Sequence, residues 1–173
     1  MWSRLLKKAT AVAGSALLMV LAATGTQAAG VGEPAPSFTL RDVVSKREIR
    51  LHEFRGRTVV MWVWDTVCPL CLDEGKALDK FIAERPALAG LLVIERGDEI
   101  DLEMEGQIYQ PRMHLLVDKK AAVEKSYGLT RLPMLIIVDR TGRVRYRGSY
   151  DGNCRLAEHI ARIEAATVLR GCL

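Results

Sequence analysis

Two cysteines three positions apart, Cys68 and Cys71, with Pro69 and Leu70 between them, are the residues of this 173-residue chain best placed for two-electron chemistry. A thiolate can attack a disulfide sulfur, and a second thiol within reach then resolves the mixed disulfide. Structural stapling explains the spacing poorly, because a bridge that closes so short a loop stabilises a fold little. Zinc is the rival use of a CxxC, but a structural zinc site takes four ligands. His52, His114 and His159 are scattered singly and offer no matching pair, so each reads as a surface or packing histidine. The expectation is a redox pair with no metal and no cofactor.

The elements around the pair give its two sulfurs different roles. Thr58 to Trp64 runs Thr-Val-Val-Met-Trp-Val-Trp without a charge, which predicts a central strand buried on both faces. After the pair, Cys71, Gly75, Leu78 and Ile82 recur at helical spacing, in a helix that ends near Arg85-Pro86. The cysteines therefore stand where a buried strand meets a helix N-terminus, with Pro69 suited to the first helical position. Unpaired N–H groups and the positive end of the helix favour a thiolate at Cys68. Cys71, one turn in, lies on the buried side. Cys68 is expected to attack and Cys71 to resolve. Asp65, three residues before Cys68, would oppose ionisation if its charge lay close.

The rest of the chain supplies a frame. Ser37–Arg41 and Glu48–Leu51 suggest a hairpin, Leu91–Glu95 and His114–Asp118 two strands, and Lys119–Tyr127 a helix closed by Gly128. Asp98–Gln110 is a polar segment whose form stays open. Met134–Asp139 and Arg143–Ser149 flank the turn Arg140-Thr141-Gly142 as a second hairpin. Its last strand alternates Val144 and Tyr146 against Arg143, Arg145 and Arg147, as a protected sheet edge would. Leu156, Ile160 and Ile163 mark a final helix capped by Asp151 or Asn153. Strands alternating with helices predict an α/β fold with a mixed central sheet flanked by helices. A CxxC in such a setting reads as a thioredoxin-like redox motif. Leu132-Pro133 precedes a strand, either as a proline that starts it or as a cis bond that redirects the backbone.

Composition and the first residues speak to compartment. Arg4, Lys7 and Lys8, a mostly apolar run from Ala9 to Ala23, and Thr26-Gln27-Ala28 have the order of a secretory signal peptide. Cleavage is expected after Ala28 or Ala29; an uncleaved anchor is the competing reading, weakened because the run is shorter than the about 20 apolar residues of a spanning helix. The domains expected are a signal peptide over 1–28, an extended segment over 29–36 and one thioredoxin-like domain over 37–173. Removing the leader takes three basic residues and no acidic one, so the formal net charge of +4 falls to +1. A nucleic-acid partner has no charge argument. Cys154 and Cys172 bracket the last helix, and 18 helical residues span roughly 27 Å against the about 7 Å that a disulfide tolerates. They bridge only if the helix stops early and the tail folds back. Otherwise Cys154 is an accessory thiol, Cys172 a terminal one, or either pairs with another molecule.

From about Glu33 to Ile163 the sequence resembles the TlpA/ResA/DsbE-type thiol-disulfide oxidoreductases, a branch of the thioredoxin superfamily. The resemblance rests on Ala35-Pro36-Ser37-Phe38-Thr39-Leu40, on Thr58 through Cys71, and on Tyr127-Gly128-Leu129-Thr130-Arg131-Leu132-Pro133 followed by Asp139-Arg140-Thr141-Gly142. It implies an N-terminal β-hairpin extension, Cys68 as nucleophile, Cys71 as resolving thiol, and Pro133 as a cis-proline. Leu132, Trp64 and Pro69 join Pro133 on the implied client-binding surface. Glu74, three residues after Cys71, falls where the family carries an acidic residue for proton handling; an ordinary solvated helix glutamate is the alternative. Val67 stands where a Trp is usual, and Met134 where Glu or Thr is typical of members that mature cytochromes. Both departures bear on the client. The implied activity is reduction of client disulfides in the periplasm, for example in cytochrome c or copper-site maturation, by a monomer served by a membrane-embedded electron donor. Two other readings stay open. A peroxiredoxin-like peroxidase would want Pro and Thr where Met61 and Asp65 stand. A non-catalytic copper-binding module would use the cysteines as soft ligands.

Overall fold

The computed structural model of the protein describes residues 28–68, 70–95, 106 and 110–170. The leader through Gln27, Pro69, most of the Asp98–Gln110 segment and Cys172 lie outside them. The elements are β1 (Thr39–Asp42), β2 (Glu48–Arg50), a 3-10 turn (Leu51–Phe54), β3 (Thr58–Asp65), α1 (Cys71–Ala83), β4 (Leu88–Glu95) and β5 (His114–Asp118). They continue with α2 (Ala122–Tyr127), β6 (Met134–Val138), β7 (Val144–Gly148) and α3 (Asn153–Arg170).

The seven strands form one sheet in the order β2-β1-β5-β4-β3-β6-β7. β3, β4 and β5 run parallel, while β6 runs antiparallel to β3 and β7 to β6. β1 and β2 form an antiparallel hairpin that extends the sheet beyond β5. This is the thioredoxin-like fold with a mixed sheet. The uncharged run Thr58–Trp64 explains the centre, since β3 lies between parallel β4 and antiparallel β6 and is packed on both faces. Val60, Trp62 and Trp64 face Cys71, Leu78, Phe81 and Ile82 of α1 and Leu156 and Ile160 of α3. Val59, Met61 and Val63 face the other way, toward Val123 and Tyr127 of α2 and the apolar residues of the β1–β2 hairpin.

Two boundaries differ from the sequence reading for identifiable reasons. α2 begins at Ala122 rather than Lys119, because Ala121 takes a left-handed conformation (φ 51°) and Asp118 turns its carboxylate onto the Val123 N–H at 2.6 Å. Neither expected cap opens α3 as predicted: Asn153 is itself its first residue, and its side-chain oxygen accepts the Tyr150 hydroxyl at 2.6 Å.

β7 is an edge strand, as its alternating arginines imply, and the extended segment 28–36 lies across it. Gly32 N–H donates to Val144 O, Val144 N–H to Glu33 O, and Ala35 N–H to Gly142 O. The arginines hold this strap by its carbonyls, Arg143 to Gly32 and Arg147 to Ala29. Gly128, which ends α2 at φ +58°, lies so close beneath it that a Cβ there would stand 2.2 Å from that of Ala28.

Candidate functional site

β3 ends at Asp65, and the chain turns into α1 through the cysteines. Cys68 N–H donates to Asp65 O at 3.4 Å and Cys71 N–H to Cys68 O at 3.2 Å. The first helical bond is Glu74 N–H to Leu70 O. The helix therefore starts at Cys71, with Leu70 just before it; Pro69, expected at the first helical position, lies outside the described residues. The Cys71 amide, which has no partner within the helix, closes a turn onto Cys68. Cys68 and Cys71 are joined in a disulfide with Cα atoms 5.4 Å apart.

The two sulfurs differ in surroundings. Cys71 is 0% exposed, in the cluster of Trp62, Trp64 and Leu78, whereas Cys68 is half-buried at its margin. Val67 and Leu70 flank the bridge and are 82% and 73% exposed. Two branched apolar side chains held in water beside a disulfide make a surface suited to an apolar partner. Across the sheet, Val63 pairs with Met134, the residue after Pro133. The Leu132–Pro133 peptide is cis, and both residues are half-buried. Trp64 is only 6% exposed, so it backs the bridge from inside and offers little to a client.

Glu74 lies half-buried on the first turn of α1. Burial pushes its carboxyl pKa above the usual glutamate value. Asp73 and Lys76, on the solvent side of the same turn, form an ion pair at 4.0 Å. Tyr150, which follows β7, packs edge-on against Trp62 with ring centroids 5.9 Å apart. The sequence gives no sign of this neighbour, because its contact with Trp62 joins segments that lie far apart in the chain.

Other candidates fall elsewhere. His114 Nδ1 pairs with Asp42 Oδ2 at 2.8 Å, His159 stacks on Tyr146 at 4.1 Å, and His52 is exposed. No group of three or more His, Cys, Asp or Glu poised to hold a metal occurs among the described residues. Cys154 is exposed and unbridged on the first turn of α3.

Comparison with known proteins agrees with this geometry. Residues 31–147 match the model of the AhpC/TSA family. The chain is 26% identical over 116 residues to the thiol-disulfide oxidoreductase ResA of Bacillus thuringiensis subsp. konkukian, covering 66% of this chain. It spans 66% of that relative's length, just under two thirds. It is 24% identical over 128 residues to the thiol:disulfide interchange protein DsbE of Pasteurella multocida, covering 73% of this chain and 70% of the relative. The thioredoxin domain of a thiol-disulfide oxidoreductase from Bacteroides vulgatus superposes with a TM-score of 0.67 at 20% identity, over 77% of this chain and 96% of that one. A cis-proline opposite a CxxC disulfide, on a sheet of this topology and in a chain of this likeness, leads to one assignment: the protein belongs to the AhpC/TSA family, among thioredoxin-fold relatives of the ResA and DsbE type.

Proposed function

We propose that this protein is an exported thiol-disulfide oxidoreductase that reduces disulfides of client proteins in the cell envelope. The observation that carries the reading is the asymmetry of the bridge, with Cys71 sealed in the core and Cys68 at the surface between exposed Val67 and Leu70. The reaction starts from the reduced dithiol. Cys68 thiolate attacks one sulfur of the client disulfide, forming a mixed disulfide and expelling the other client sulfur as thiolate. Cys71 then gives up its proton, and its thiolate attacks Cys68 Sγ. The intramolecular disulfide forms, and the second client sulfur leaves reduced. Two electrons pass to the client, and a membrane-embedded donor restores the dithiol.

Each remaining residue has a part in this scheme. The N-terminal end of α1 lowers the cost of the Cys68 thiolate. The backbone beside cis Pro133, with Leu132 and Pro69, holds the client strand. Glu74 takes the proton from Cys71, a task for which a carboxyl raised by burial is better matched than a solvated one. The printed names of the ResA and DsbE relatives support the reaction class. The resemblance points to apocytochromes or copper-site proteins as clients and to the periplasm as the compartment. The basic, apolar and small-residue order of residues 1–28 supports export.

Insulin reduction with dithiothreitol tests the activity, and the Cys71→Ala variant should trap clients as mixed disulfides on Cys68. An inert Cys68 at neutral pH would sink the proposal. A shorter mass after export tests the leader, and retention of full length would remove the cleavage claim. The AhpC/TSA family match keeps one rival in view, peroxide reduction by Cys68. Met61 and Asp65 stand where that chemistry asks for proline and threonine, and peroxide consumption distinguishes the two. A Cu(I) titration does the same for copper delivery.

A further inference from the structure

We propose that the indole N–H of Trp64 is the hydrogen-bond donor that holds the Cys71 thiolate while it resolves the mixed disulfide. The inference deepens the reading above and rests on Cys71 as the resolving thiol.

Cys71 poses a problem of charge. It is 0% exposed, in a cluster built of side chains such as Leu78, Phe81, Leu92 and Leu156, yet the resolving step needs its sulfur as an anion. An ion is costly in such surroundings unless a donor meets it. The polar side-chain groups of this cluster are few. Apart from the cysteines they are the phenols of Tyr146 and Tyr150 and the indoles of Trp62 and Trp64. The phenols are spent outward, Tyr146 donating to Ser149 O at 3.0 Å and Tyr150 to Asn153 Oδ1 at 2.6 Å. Both indole Nε1 atoms are buried and have no hydrogen-bond partner among the described residues. A buried donor left without an acceptor costs free energy, and native folds rarely carry one without a use.

Register along the sheet selects between the two tryptophans. A Cβ on Gly75 would stand 3.7 Å from Leu92 Cδ2, and Leu92 pairs with Trp62. α1 runs back along the sheet as the crossover between parallel β3 and β4. The helix climbs about 6 Å from Gly75 to Cys71, and the strand climbs about 6.6 Å from Trp62 to Trp64. Cys71 is therefore level with Trp64, on the same face of the sheet. Trp62, one step lower, is turned to Tyr150, whose ring it meets edge-on at 5.9 Å.

The bridged form leaves this donor unpaired because a disulfide sulfur carries no charge to receive it. In the resolving step the Cys71 proton passes to the carboxylate, Glu74 in the scheme above, and the electron pair stays on Cys71 Sγ. Trp64 Nε1–H donates to that sulfur. The pair then forms the bond to Cys68 Sγ, the client sulfur leaves with the electrons of the broken bond, and the donor is unpaired again. A contact made only while the charge exists speeds the step rather than merely strengthening binding.

The test separates the two sulfurs in time. Reduced protein carrying Cys154→Ala and Cys172→Ala is mixed with one equivalent of dithiobis-nitrobenzoate. Cys68 releases a first thionitrobenzoate by attacking the reagent, and Cys71 releases a second by displacing the one left on Cys68. Trp64→Phe should slow the second release roughly tenfold or more, the scale of a hydrogen bond to a charged group, and leave the first unchanged. Trp62→Phe should not alter the ratio of the two rates, and equal slowing by it would overturn the assignment to Trp64. To part the N–H from the ring, the Trp62→Phe protein is made with benzothienylalanine in place of tryptophan, which keeps the bicyclic shape and puts sulfur where the N–H stood. Its second release should slow as in Trp64→Phe, and this arm decides alone if Trp64→Phe does not fold. A second release as fast with benzothienylalanine as with tryptophan would overturn the role of the N–H. If the protein with both tryptophans gives no second release at all, it is the reading of Cys71 as resolving thiol that fails.

Discussion

The two turns that leave the central strands β3 and β6 are built on opposite plans. Beyond β6, Asp139 is buried and gathers every donor in reach: Thr141 N–H and Oγ1, Arg143 N–H, and Arg145 Nε at 2.5 Å. Burial alone would raise its pKa, but these hydrogen bonds and the Arg145 charge outweigh it and hold the carboxyl below the usual aspartate range. Beyond β3, two backbone bonds at 3.2 and 3.4 Å shape the turn, and its largest side chains, Val67 and Leu70, stand in water. One turn puts its polar groups into stability. The other leaves its surface open to a partner and keeps its stability in the core behind it.

If that contrast is real, substitutions in the two turns should separate activity from stability. Cys68→Ala should cause the largest loss, taking insulin reduction to the uncatalysed background while leaving the urea midpoint close to that of the reduced wild type. Asp139→Ala should do the reverse. Removing one partner of a buried ion pair costs about 3 kcal/mol, to be read by urea unfolding, with turnover per folded molecule unchanged. The sign of its pH dependence follows from the lowered carboxyl. Asp139 contributes fully above the unfolded pKa of about 4, and the contribution drains away as pH falls through the lower folded value. The variant should therefore have a flatter acid limb than the wild type. Glu74→Gln comes next, slowing the resolving step roughly 100-fold; the wild-type rate should climb with pH as the raised Glu74 carboxyl ionises, and the variant should lack that rise. The smallest effects belong to Val67→Ser and Leu70→Ser. Surface changes of this kind stay within about 0.5 kcal/mol in stability, so a severalfold rise in KM for a protein client, with a small disulfide substrate unaffected, is the expected signature. Equal losses for both substrates would break the comparison at its exposed end.

The legible part of this molecule was the part in which local pattern and tertiary role coincide. The uncharged run of β3, the helical recurrence of Cys71, Gly75, Leu78 and Ile82, and the strand His114–Asp118 are each written in consecutive residues. The site was legible as far as its sulfurs. What the sequence did not disclose depends on contacts across the chain. The burial of Trp64 depends on the cluster it shares with Cys71 and Leu78, which no local pattern around it announces. The isomer of the Leu132–Pro133 bond was open on residues alone, since proline at a strand start accommodates either form. Tyr150 carries no signal in the sequence: an aromatic residue in a Ser-Tyr-Asp-Gly stretch has no local mark of the tryptophan it meets.

The sealing of Cys71 also turns the reduced protein into its own stopwatch. A bulky alkylating reagent meets Cys68 at the surface, but it can modify the second sulfur only when α1 lifts from the sheet. With Cys68 replaced by Ala, the labelling rate of Cys71 relative to an unfolded peptide gives the free energy of that opening directly. The same experiment in the presence of a client would show whether docking holds the helix down or pries it up.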